Sequence, residues 1–274
     1  MYFGFENISV SFGKKQVLDS VSMEFEKGAF TTIIGPNGCG KSTLLKTVSR
    51  TVVPQTGTAI FMDRPVSEYA PKELAKKIAY LPQIHTSPSD INIRTLVSYG
   101  RYPYKRFGQG LTDEDNRIID TTLELTGLKD MEDRLMDKLS GGEKQRAWIA
   151  MTICQQPEIL MLDEPITYLD IGYQVEVMEL VRDLVDRLGM TIIMVLHDMN
   201  FTSRYSDKIY VLKDRHASIY GDPDKIISHD VMEDVFRIDS QLIRDEKNGC
   251  PYIIPEKLKK AEDGKEGAAA LSDK

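Results

Sequence analysis

The chain has 274 residues, of which 41% are hydrophobic and 28% charged, and its formal net charge is −7. This length suits one large domain or a core with an inserted subdomain, and the composition is that of a soluble globular protein. The negative charge gives no support to a nucleic-acid partner, and no apolar run approaches the about 18 residues of a membrane-spanning helix. The first residues lack the pattern of a secretory signal, so a cytosolic protein is expected. The three cysteines (Cys39, Cys154 and Cys250) have no metal-ligand spacing and are expected to be reduced thiols.

Two strands are predicted at the beginning of the chain. Residues 5–12 alternate apolar and polar side chains, as a half-buried strand does, and residues 17–25 alternate less cleanly. The segment Gly13-Lys14-Lys15 supplies a turn between them. We therefore expect a solvated antiparallel edge in this part of the chain.

A phosphate-binding loop is predicted after the third strand. Residues 30–34 form a β-branched, buried run, residues 43–48 have helical spacing, and residues 35–42 between them match G-x-x-x-x-G-K-[ST]. Glycines leave backbone N–H groups free to surround phosphate oxygens, and the helix N-terminus adds a positive dipole end. A chance glycine loop is the alternative, but the strand and helix that flank this one argue against it. The predicted ATP contacts are Gly35, Pro36, Asn37, Gly38, Cys39, Gly40, Lys41, Ser42 and Thr43. Of these, Lys41 is expected to reach the β- and γ-phosphates and Ser42 to ligate Mg²⁺.

The middle of the chain is predicted to be mostly helical. Residues 58–62 indicate a strand, residues 71–78 a short helix that begins with proline, and residues 79–82 a strand that proline ends. From 93 to 156 the pattern is almost purely helical, with Asp113-Glu114-Asp115 where acids favour a helix start. Strands return at 159–162, 192–196 and 209–212, with an amphipathic helix over 173–188. A helical block inserted between the halves of a parallel α/β core is the simplest architecture.

Two adjacent carboxylates end the strand Leu160-Met-Leu-Asp163-Glu164. Buried acids are costly unless a cation or hydrogen bonds compensate them. We expect Asp163 to hold Mg²⁺ and Glu164 to polarise the attacking water. By itself this pattern fits an ordinary acidic turn equally well, and the upstream phosphate loop favours the catalytic interpretation.

A second possible anion site begins a later helix. Ser140 and Glu143 form an S-x-x-E capping box, which explains those two residues by helix initiation alone. It does not explain Gly141 and Gly142, which weaken a helix start and leave backbone N–H groups bare. Because the chain already has its own phosphate loop, this helix start is predicted to contact the nucleotide of a second molecule.

These motifs, in this order and spacing, resemble an ATP-binding cassette subunit over residues 1 to about 255. The resemblance implies that Ser140, Gly141 and Gly142 belong to the signature motif, which caps the γ-phosphate of the partner's ATP. It implies that Gln83 is the glutamine that senses Mg²⁺ and γ-phosphate and couples to the membrane subunit. Leu169-Asp170 resembles the D-loop.

Two further residues are assigned by the resemblance alone. His197 is similar to the switch histidine that contacts the γ-phosphate, and Phe12 to the aromatic side chain that stacks on adenine. Three of the assigned residues have a structural alternative: Gln83 as a surface residue, His197 as a satisfied strand-end histidine, and Phe12 as a core residue. Ile166 departs from the family pattern, which has threonine there, so a local hydrogen bond worth about 1 kcal/mol is expected to be lost.

The resemblance implies the fold class α/β, a P-loop NTPase (RecA-like) core with an antiparallel β subdomain and an inserted α-helical subdomain. The ATPase domain is predicted over 1–256, with the core at 1–84 and 157–256 and the helical subdomain at 85–156. Residues 257–274 mix charges with glycine and alanine and are predicted to be a mobile tail.

The resemblance also implies the assembly in which the chain works. ATP and Mg²⁺ are the implied cofactors, and the implied partners are a second copy and transmembrane permease subunits, with an extracytoplasmic substrate-binding protein acting indirectly. The chain would then lie at the cytoplasmic face of the membrane. The segments Thr95–Pro103, Arg146–Met151 and His197–Asn200 are similar to subunits that serve ferric-siderophore, haem and cobalamin importers. Ferric siderophore is favoured because such systems are numerous.

Two other classes remain as alternatives. Soluble cassette ATPases that act on ribosomes or DNA usually carry tandem cassettes or a long coiled coil, whereas the about 100 residues between Lys41 and Ser140 contain no heptad run. A regulatory module without turnover is disfavoured because both Glu164 and His197 are present.

Overall fold

Strands and helices alternate along the chain as in a mixed α/β protein. The computed structural model describes residues 1–86, 90–106 and 108–259. Its strands in those ranges are β1 (Phe3–Phe12), β2 (Lys15–Phe25), β3 (Phe30–Ile34), β4 (Thr56–Phe61), β5 (Arg64–Pro65), β6 (Ile78–Leu81), β7 (Ile159–Asp163), β8 (Thr191–Val195), β9 (Lys208–Lys213), β10 (His216–Gly221), β11 (Ile238–Asp245) and β12 (Cys250–Leu258). Its α-helices are α1 (Lys41–Val48), α2 (Pro71–Ala75), α3 (Ile93–Ser98), α4 (Asp113–Leu125), α5 (Gly141–Cys154), α6 (Ile171–Leu188), α7 (Met199–Tyr205), α8 (Pro223–Ile226) and α9 (His229–Val231).

The first part of the chain forms an antiparallel sheet in the order β2-β1-β4-β5. The pairing of β1 with β2 shifts register between Phe5 and Ile8, where Asn7 adopts a φ of 50°. This irregularity lets Phe5 and Ile8 both stay buried although an odd number of positions separates them, as a β-bulge does. The opposite face carries exposed residues such as Glu6, so the sheet packs on the core through one face.

The second sheet is six-stranded, in the order β10-β9-β3-β8-β7-β6. Its strands β9, β3, β8, β7 and β6 are parallel, and β10 is antiparallel to β9. In β7, Ile159 and Met161 join the apolar cluster under the antiparallel sheet and α1, whereas Leu160 and Leu162 join the cluster under α5 and α6. Burial on both faces explains why these strands read as continuous apolar runs. The predicted α/β class is confirmed.

Between β6 and β7 the chain forms α3, α4 and α5 around a separate apolar cluster. The prediction of nearly continuous helix over 93–156 is too simple, because short 3₁₀ turns interrupt it at Tyr99–Tyr104, Lys129–Met131 and Met136–Lys138. The helix predicted over 71–78 ends at Ala75, since Ile78 already pairs with Ile159 in the sheet. The acids of 113–115 do begin α4, whose N-cap Thr112 forms a capping box with Asp115. The division of the chain at 85–156 stays a prediction.

The C-terminal part is a hairpin of β11 and β12 that the sequence pattern did not indicate. It packs on α7, where the side-chain amide of Asn200 donates to the Ile253 carbonyl at 3.1 Å and accepts from the Ile253 N–H at 2.8 Å. The prediction of a tail from residue 257 is wrong at its start, because β12 runs to Leu258 and the Lys259 N–H donates to the Arg237 carbonyl. Residues 260–274 of the predicted tail lie outside the described residues. Within the described part of the chain, no helix has the length and apolarity to cross a membrane.

Candidate functional site

The polar residues that the sequence singled out follow the carboxyl ends of neighbouring parallel strands. Gly35 follows β3, Gln83 follows β6, Asp163 ends β7 with Glu164 directly after it, and His197 follows β8. In an open parallel sheet this edge is where ligands bind, because the loops there leave a crevice outside the strands. Residues separated by up to about 160 positions in sequence are therefore brought to one edge by the order β3-β8-β7-β6.

The loop after β3 curls around a small cavity. Gly40 has a φ of 107°, and a Cβ there would lie 2.5 Å from Leu18 Cδ2, so both conformation and space require glycine. Gly40 is also the N-cap of α1 and offers no side chain to the first N–H groups of that helix. Those donors are left for an anion. The cavity has a volume of about 150 Å³ and is lined by Val17, Asn37, Gly38, Gly40, Lys41, Ser42, Thr43, Glu164 and His197.

Lys41 is held inside the curve of this loop. The side chain is 5% exposed, and its ammonium group donates to the carbonyl oxygens of Gly35 at 2.8 Å and Pro36 at 3.1 Å. A buried ammonium group needs such partners. The contacts also fix the cation within the loop that lines the cavity, so that a full positive charge stands beside the space where an anion would bind.

Ser42 and Asp163 meet at the floor of the site. The Ser42 hydroxyl donates to Asp163 Oδ1 at 2.9 Å, and the Tyr80 hydroxyl donates to Oδ2 of the same carboxylate at 3.2 Å. Asp163 is 2% exposed. Burial raises the pKa of Asp163 above its usual value, the hydrogen bonds from Ser42 and Tyr80 oppose this rise, and the charge of Glu164 adds to it. Burial and the Asp163 charge likewise raise the pKa of Tyr80, so the phenol stays a donor.

The donor set of Ser42 and Asp163 fits a magnesium ion. Mg²⁺ prefers oxygen ligands and is usually bound through one or two carboxylates together with substrate phosphates. Among the described residues, no group of three or more His, Cys, Asp or Glu side chains is placed to hold a metal ion by itself. One buried carboxylate beside a hydroxyl, next to a phosphate-sized loop, therefore suits an ion that arrives with its nucleotide.

Glu164 is the point where three polar side chains converge. Gln83 Nε2 donates to Glu164 Oε2 at 2.6 Å, the Thr167 hydroxyl donates to the same oxygen at 3.2 Å, and His197 Nε2 lies 2.5 Å from Oε1. The Glu164 backbone has a φ of 52°, a left-handed conformation that is strained for this residue type and often found at active sites. The Glu164 N–H still donates to the Val195 carbonyl, which anchors the turn to β8. The arrangement can orient a water molecule beside the cavity and accept its proton.

The predicted signature residues lie apart from this cavity in the structure. Ser140 caps α5: its hydroxyl accepts from the Glu143 N–H, and the Glu143 carboxylate accepts from the Ser140 N–H, as the capping box predicts. None of Ser140, Gly141 and Gly142 lines the cavity of the phosphate loop in its own chain. The structure therefore gathers the other catalytic and phosphate-binding candidates but leaves the start of α5 apart from them.

Phe12 is exposed, whereas Ile166 is buried. Phe12 ends β1 with 55% of its surface exposed, so the core alternative is wrong, and adenine stacking stays a prediction. Ile166 is 5% exposed and packs in the apolar cluster under α6, so its alkyl group is accommodated by burial. The Ile166 carbonyl also accepts from Gln174 Nε2 at 3.3 Å, which helps to hold the loop after Glu164.

Three residues of the site were not found by sequence reasoning. Tyr80 lies in β6, and only the pairing of β6 with β7 brings its hydroxyl to Asp163. Val17 lines the cavity from β2 of the other sheet. Thr167 stands three residues after Glu164, and of the three it alone had a local signal, in the segment that follows the acidic pair.

Comparisons with known proteins agree on one group. The family model described as ABC transporter matches residues 18–167. A relative from Bacillus subtilis (strain 168), the probable siderophore transport system ATP-binding protein YusV, is 39% identical, and the alignment covers 91% of each chain. The ferric enterobactin transport ATP-binding protein FepC of Escherichia coli (strain K12) is 38% identical, with 91% of this chain and 92% of the relative covered.

Solved structures have the same fold. One, described as an inward-facing conformation of a metal-chelate type ABC transporter, superposes with a TM-score of 0.81 at 23% identity and covers 93% of this chain and 98% of its own. Another, the ATP-binding cassette MJ0796 in a dimeric post-hydrolysis state with ADP and Pi, superposes with a TM-score of 0.69 at 25% identity. That comparison covers 80% of this chain and 98% of the other.

Proposed function

Since the chain belongs to the ABC transporter family, we propose that it is the ATP-hydrolysing subunit of an importer for ferric siderophores. The family supplies the activity, ATP hydrolysis coupled to transport. The choice of cargo is supported by the relatives described above, whose names refer to siderophore and ferric enterobactin transport.

One observation carries the catalytic part of the proposal, namely the convergence of Gln83 and His197 on Glu164 beside the phosphate loop. Phosphoryl transfer requires little covalent chemistry from the protein, so positioning and charge stabilisation supply most of the catalysis. In our proposal Lys41 and the N–H groups of the loop bind the β- and γ-phosphates. Glu164 orients the attacking water and takes its proton, and His197 contacts the γ-phosphate.

Magnesium completes the proposed nucleotide site. Ser42 and Asp163 would hold the ion, and Gln83, which follows β6 and donates to Glu164, would sense it. When bound, Mg²⁺ neutralises the charge that develops on the phosphate oxygens. The Tyr80 hydroxyl would orient Asp163 by its hydrogen bond to Oδ2, the carboxylate oxygen that Ser42 does not contact.

The position of Ser140 supports the proposal that two copies of the chain work as a pair. The start of α5 does not line the cavity of its own phosphate loop, and Ser140 and Gly141 are exposed there. A helix start of this kind can bind an anion through its backbone N–H groups. We propose that it meets the γ-phosphate bound by a second copy. The dimeric state named for the cassette MJ0796 is consistent with such a pair.

The remaining proposed partners are membrane proteins. We propose that permease subunits bind the region of Gln83 and the helices between β6 and β7, and that an extracytoplasmic substrate-binding protein delivers the cargo to them. The chain itself would be peripheral, at the cytoplasmic face of the membrane. Closure of the two copies on ATP would move the helical part, and hydrolysis would release it.

A deletion strain tests this function directly. Cells that lack the chain should fail to accumulate a radiolabelled ferric siderophore, and the intact chain should restore uptake, whereas the Glu164→Gln variant should not. Haem and cobalamin uptake are measured in the same strains. Loss of haem or cobalamin uptake with normal siderophore uptake would contradict the proposed cargo, and normal uptake of all three would contradict the transport role.

A further inference from the structure

Tyr173 is a half-buried aromatic residue in the first turn of α6, close to the start of α5. Its N–H donates to Asp170 Oδ1 at 3.1 Å, so the residue is fixed to the end of the loop that follows Glu164. Its ring lies directly on Gly142: a Cβ at Gly142 would be 2.2 Å from two ring carbons. Contact this close leaves no room for any side chain at Gly142.

This contact explains why position 142 is glycine, which the capping box did not explain. Gly142 lies in the first turn of α5, where alanine is normally the better helix former, and its φ is not in the left-handed region. Its backbone conformation therefore does not require glycine. The requirement comes from the neighbouring helix, because only glycine lets the Tyr173 ring pack against the α5 backbone.

Two polar contacts surround the ring and tie the same elements together. The Ser140 hydroxyl donates to the Tyr173 hydroxyl at 3.3 Å. The Arg146 guanidinium lies 6.0 Å from the ring centroid, and its Nη1 is 3.3 Å from Glu176 Oε2. The start of α5 is thus connected to the start of α6 through stacking, a hydrogen bond and an ion pair.

We propose that Tyr173 is a positioning residue that couples the two nucleotide sites of a pair of chains. The inference rests on the proposed function, in which Ser140 meets the γ-phosphate of the second copy. The segment from Glu164 to Tyr173 is short, and the hydrogen bond from the Tyr173 N–H to the Asp170 carboxylate fixes its end. Tyr173 therefore links the loop of the catalytic carboxylate in one site to the helix start that completes the other site.

The role of Tyr173 is tested by measuring how readily two chains form a dimer with ATP. In the Glu164→Gln background with ATP and Mg²⁺, light scattering after gel filtration gives the ATP and protein concentrations needed to form dimers. We expect Tyr173→Ala to weaken dimer formation about tenfold and Tyr173→Phe, which keeps the ring, about threefold. Binding of a fluorescent ATP analogue to the single chain should stay within about twofold, because Tyr173 does not line the phosphate loop. Tyr252→Ala, at an exposed tyrosine of β12, is the matched control and should dimerise normally.

A double-mutant cycle separates the steric contact from general damage. Gly142→Ala should weaken dimerisation in the Tyr173 chain because the added methyl group displaces the ring. In the Tyr173→Ala chain the same change should cost much less, since the space is free. Equal costs in both backgrounds, or normal dimerisation by Tyr173→Ala, would overturn the inference while leaving the proposed function in place. If the Glu164→Gln chain itself forms no dimer with ATP, the paired arrangement fails and the inference fails with it.

Discussion

Nε2 of His197 and Oε1 of Glu164 are 2.5 Å apart, although the two residues belong to different strand ends. The pairing of β7 with β8 produces this contact, since Asp163 stands opposite Val195 and the residues that follow, Glu164 and His197, both line the cavity of the phosphate loop. Gln83 reaches the other oxygen of the same carboxylate from β6. Glu164 is therefore held from both sides, which is the kind of preorganisation that its proposed role on water requires.

Glu164→Gln should keep ATP binding and stop hydrolysis. The amide is close in shape to the carboxylate and can still meet Gln83 and His197, but it cannot accept the proton of the attacking water. We expect phosphate release to fall by at least about a hundredfold, with dimers trapped in the presence of ATP. Phosphate release and gel filtration with Mg²⁺-ATP provide the test. Turnover at the normal rate would refute the role of Glu164.

Lys41→Ala should lose most of the affinity for ATP. Charge-assisted hydrogen bonds to phosphate contribute about 1.5–3 kcal/mol, so a loss of at least about tenfold is expected. Titration with a fluorescent ATP analogue measures the affinity, and thermal unfolding without nucleotide shows whether the loop itself survives the loss of the Gly35 and Pro36 contacts. Lys14→Ala, in the turn between β1 and β2, is the control. An unchanged titration for Lys41→Ala would count against the assignment.

Tyr80→Phe should raise the requirement for magnesium. The change removes the hydrogen bond to Asp163 and leaves the ring, and loss of such an outer partner typically lowers metal affinity by about tenfold or more. The Mg²⁺ concentration that gives half-maximal stabilisation by ATP in thermal unfolding is the readout. The control is Tyr210→Phe, because Tyr210 is also buried and hydrogen-bonded, but to the Glu24 backbone. Equal magnesium curves for Tyr80→Phe and the unaltered chain would show that Asp163 is oriented without Tyr80.

Arg101→Met should destabilise the helical part of the chain. Arg101 Nε donates to Asp115 Oδ1 at 2.8 Å, with the two side chains 4% and 9% exposed, and its Nη1 donates to the Cys154 carbonyl at 3.0 Å. Removal of one partner from a buried pair costs about 3–5 kcal/mol. Urea unfolding at neutral pH gives the free energy of unfolding. Arg187→Met, which removes an exposed pair with Asp183, should have little effect.

The Arg101 effect should also depend on pH. Burial by itself would raise the pKa of Asp115, but hydrogen bonds from Arg101 and Thr112 outweigh it and hold this pKa below the usual range. A lowered folded-state pKa stabilises the fold above the unfolded value of about 4, and this stabilisation is lost as the pH falls through the lower folded value. The difference between Arg101→Met and the unaltered chain should therefore shrink between about pH 4 and more acidic solutions. A difference that grows on acidification would contradict this sign.

Truncation after Lys259 should leave ATP hydrolysis unchanged. The removed residues, 260–274, mix charges with glycine and alanine and carry no core pattern. Truncation before β12 is the contrasting variant, and it should lower the melting temperature because it removes the hairpin and the Asn200 contacts. Steady-state ATPase rates and thermal unfolding of both chains provide the comparison. A large loss of activity in the shorter truncation would show that the C-terminal segment has a role.

The residues that sequence reasoning found share a local signal. Lys41, Glu164 and Ser140 each stand in a short motif whose neighbours have a mechanical reason, such as a turn, a strand end or a helix cap. Tyr80 and Tyr173 have no such motif, because their hydrogen bonds to Asp163 and Ser140 span 83 and 33 residues. Those contacts depend on strand register and helix packing, which a single sequence does not specify. The hairpin of β11 and β12 was missed for a related reason, since its residues alternate poorly and prolines interrupt its second strand.

Prolines in β12 have a protective consequence for the chain as a whole. Pro251 and Pro255 have no N–H to offer, and between them the Ile253 N–H is already taken by the Asn200 amide. The outer border of β12 consequently presents few donors to which an incoming strand could attach. A hairpin near the surface, such as that of β11 and β12, is a common starting point for unwanted association between chains. Here the Asn200 amide that holds the hairpin against α7 also makes the hairpin a poor template for self-association.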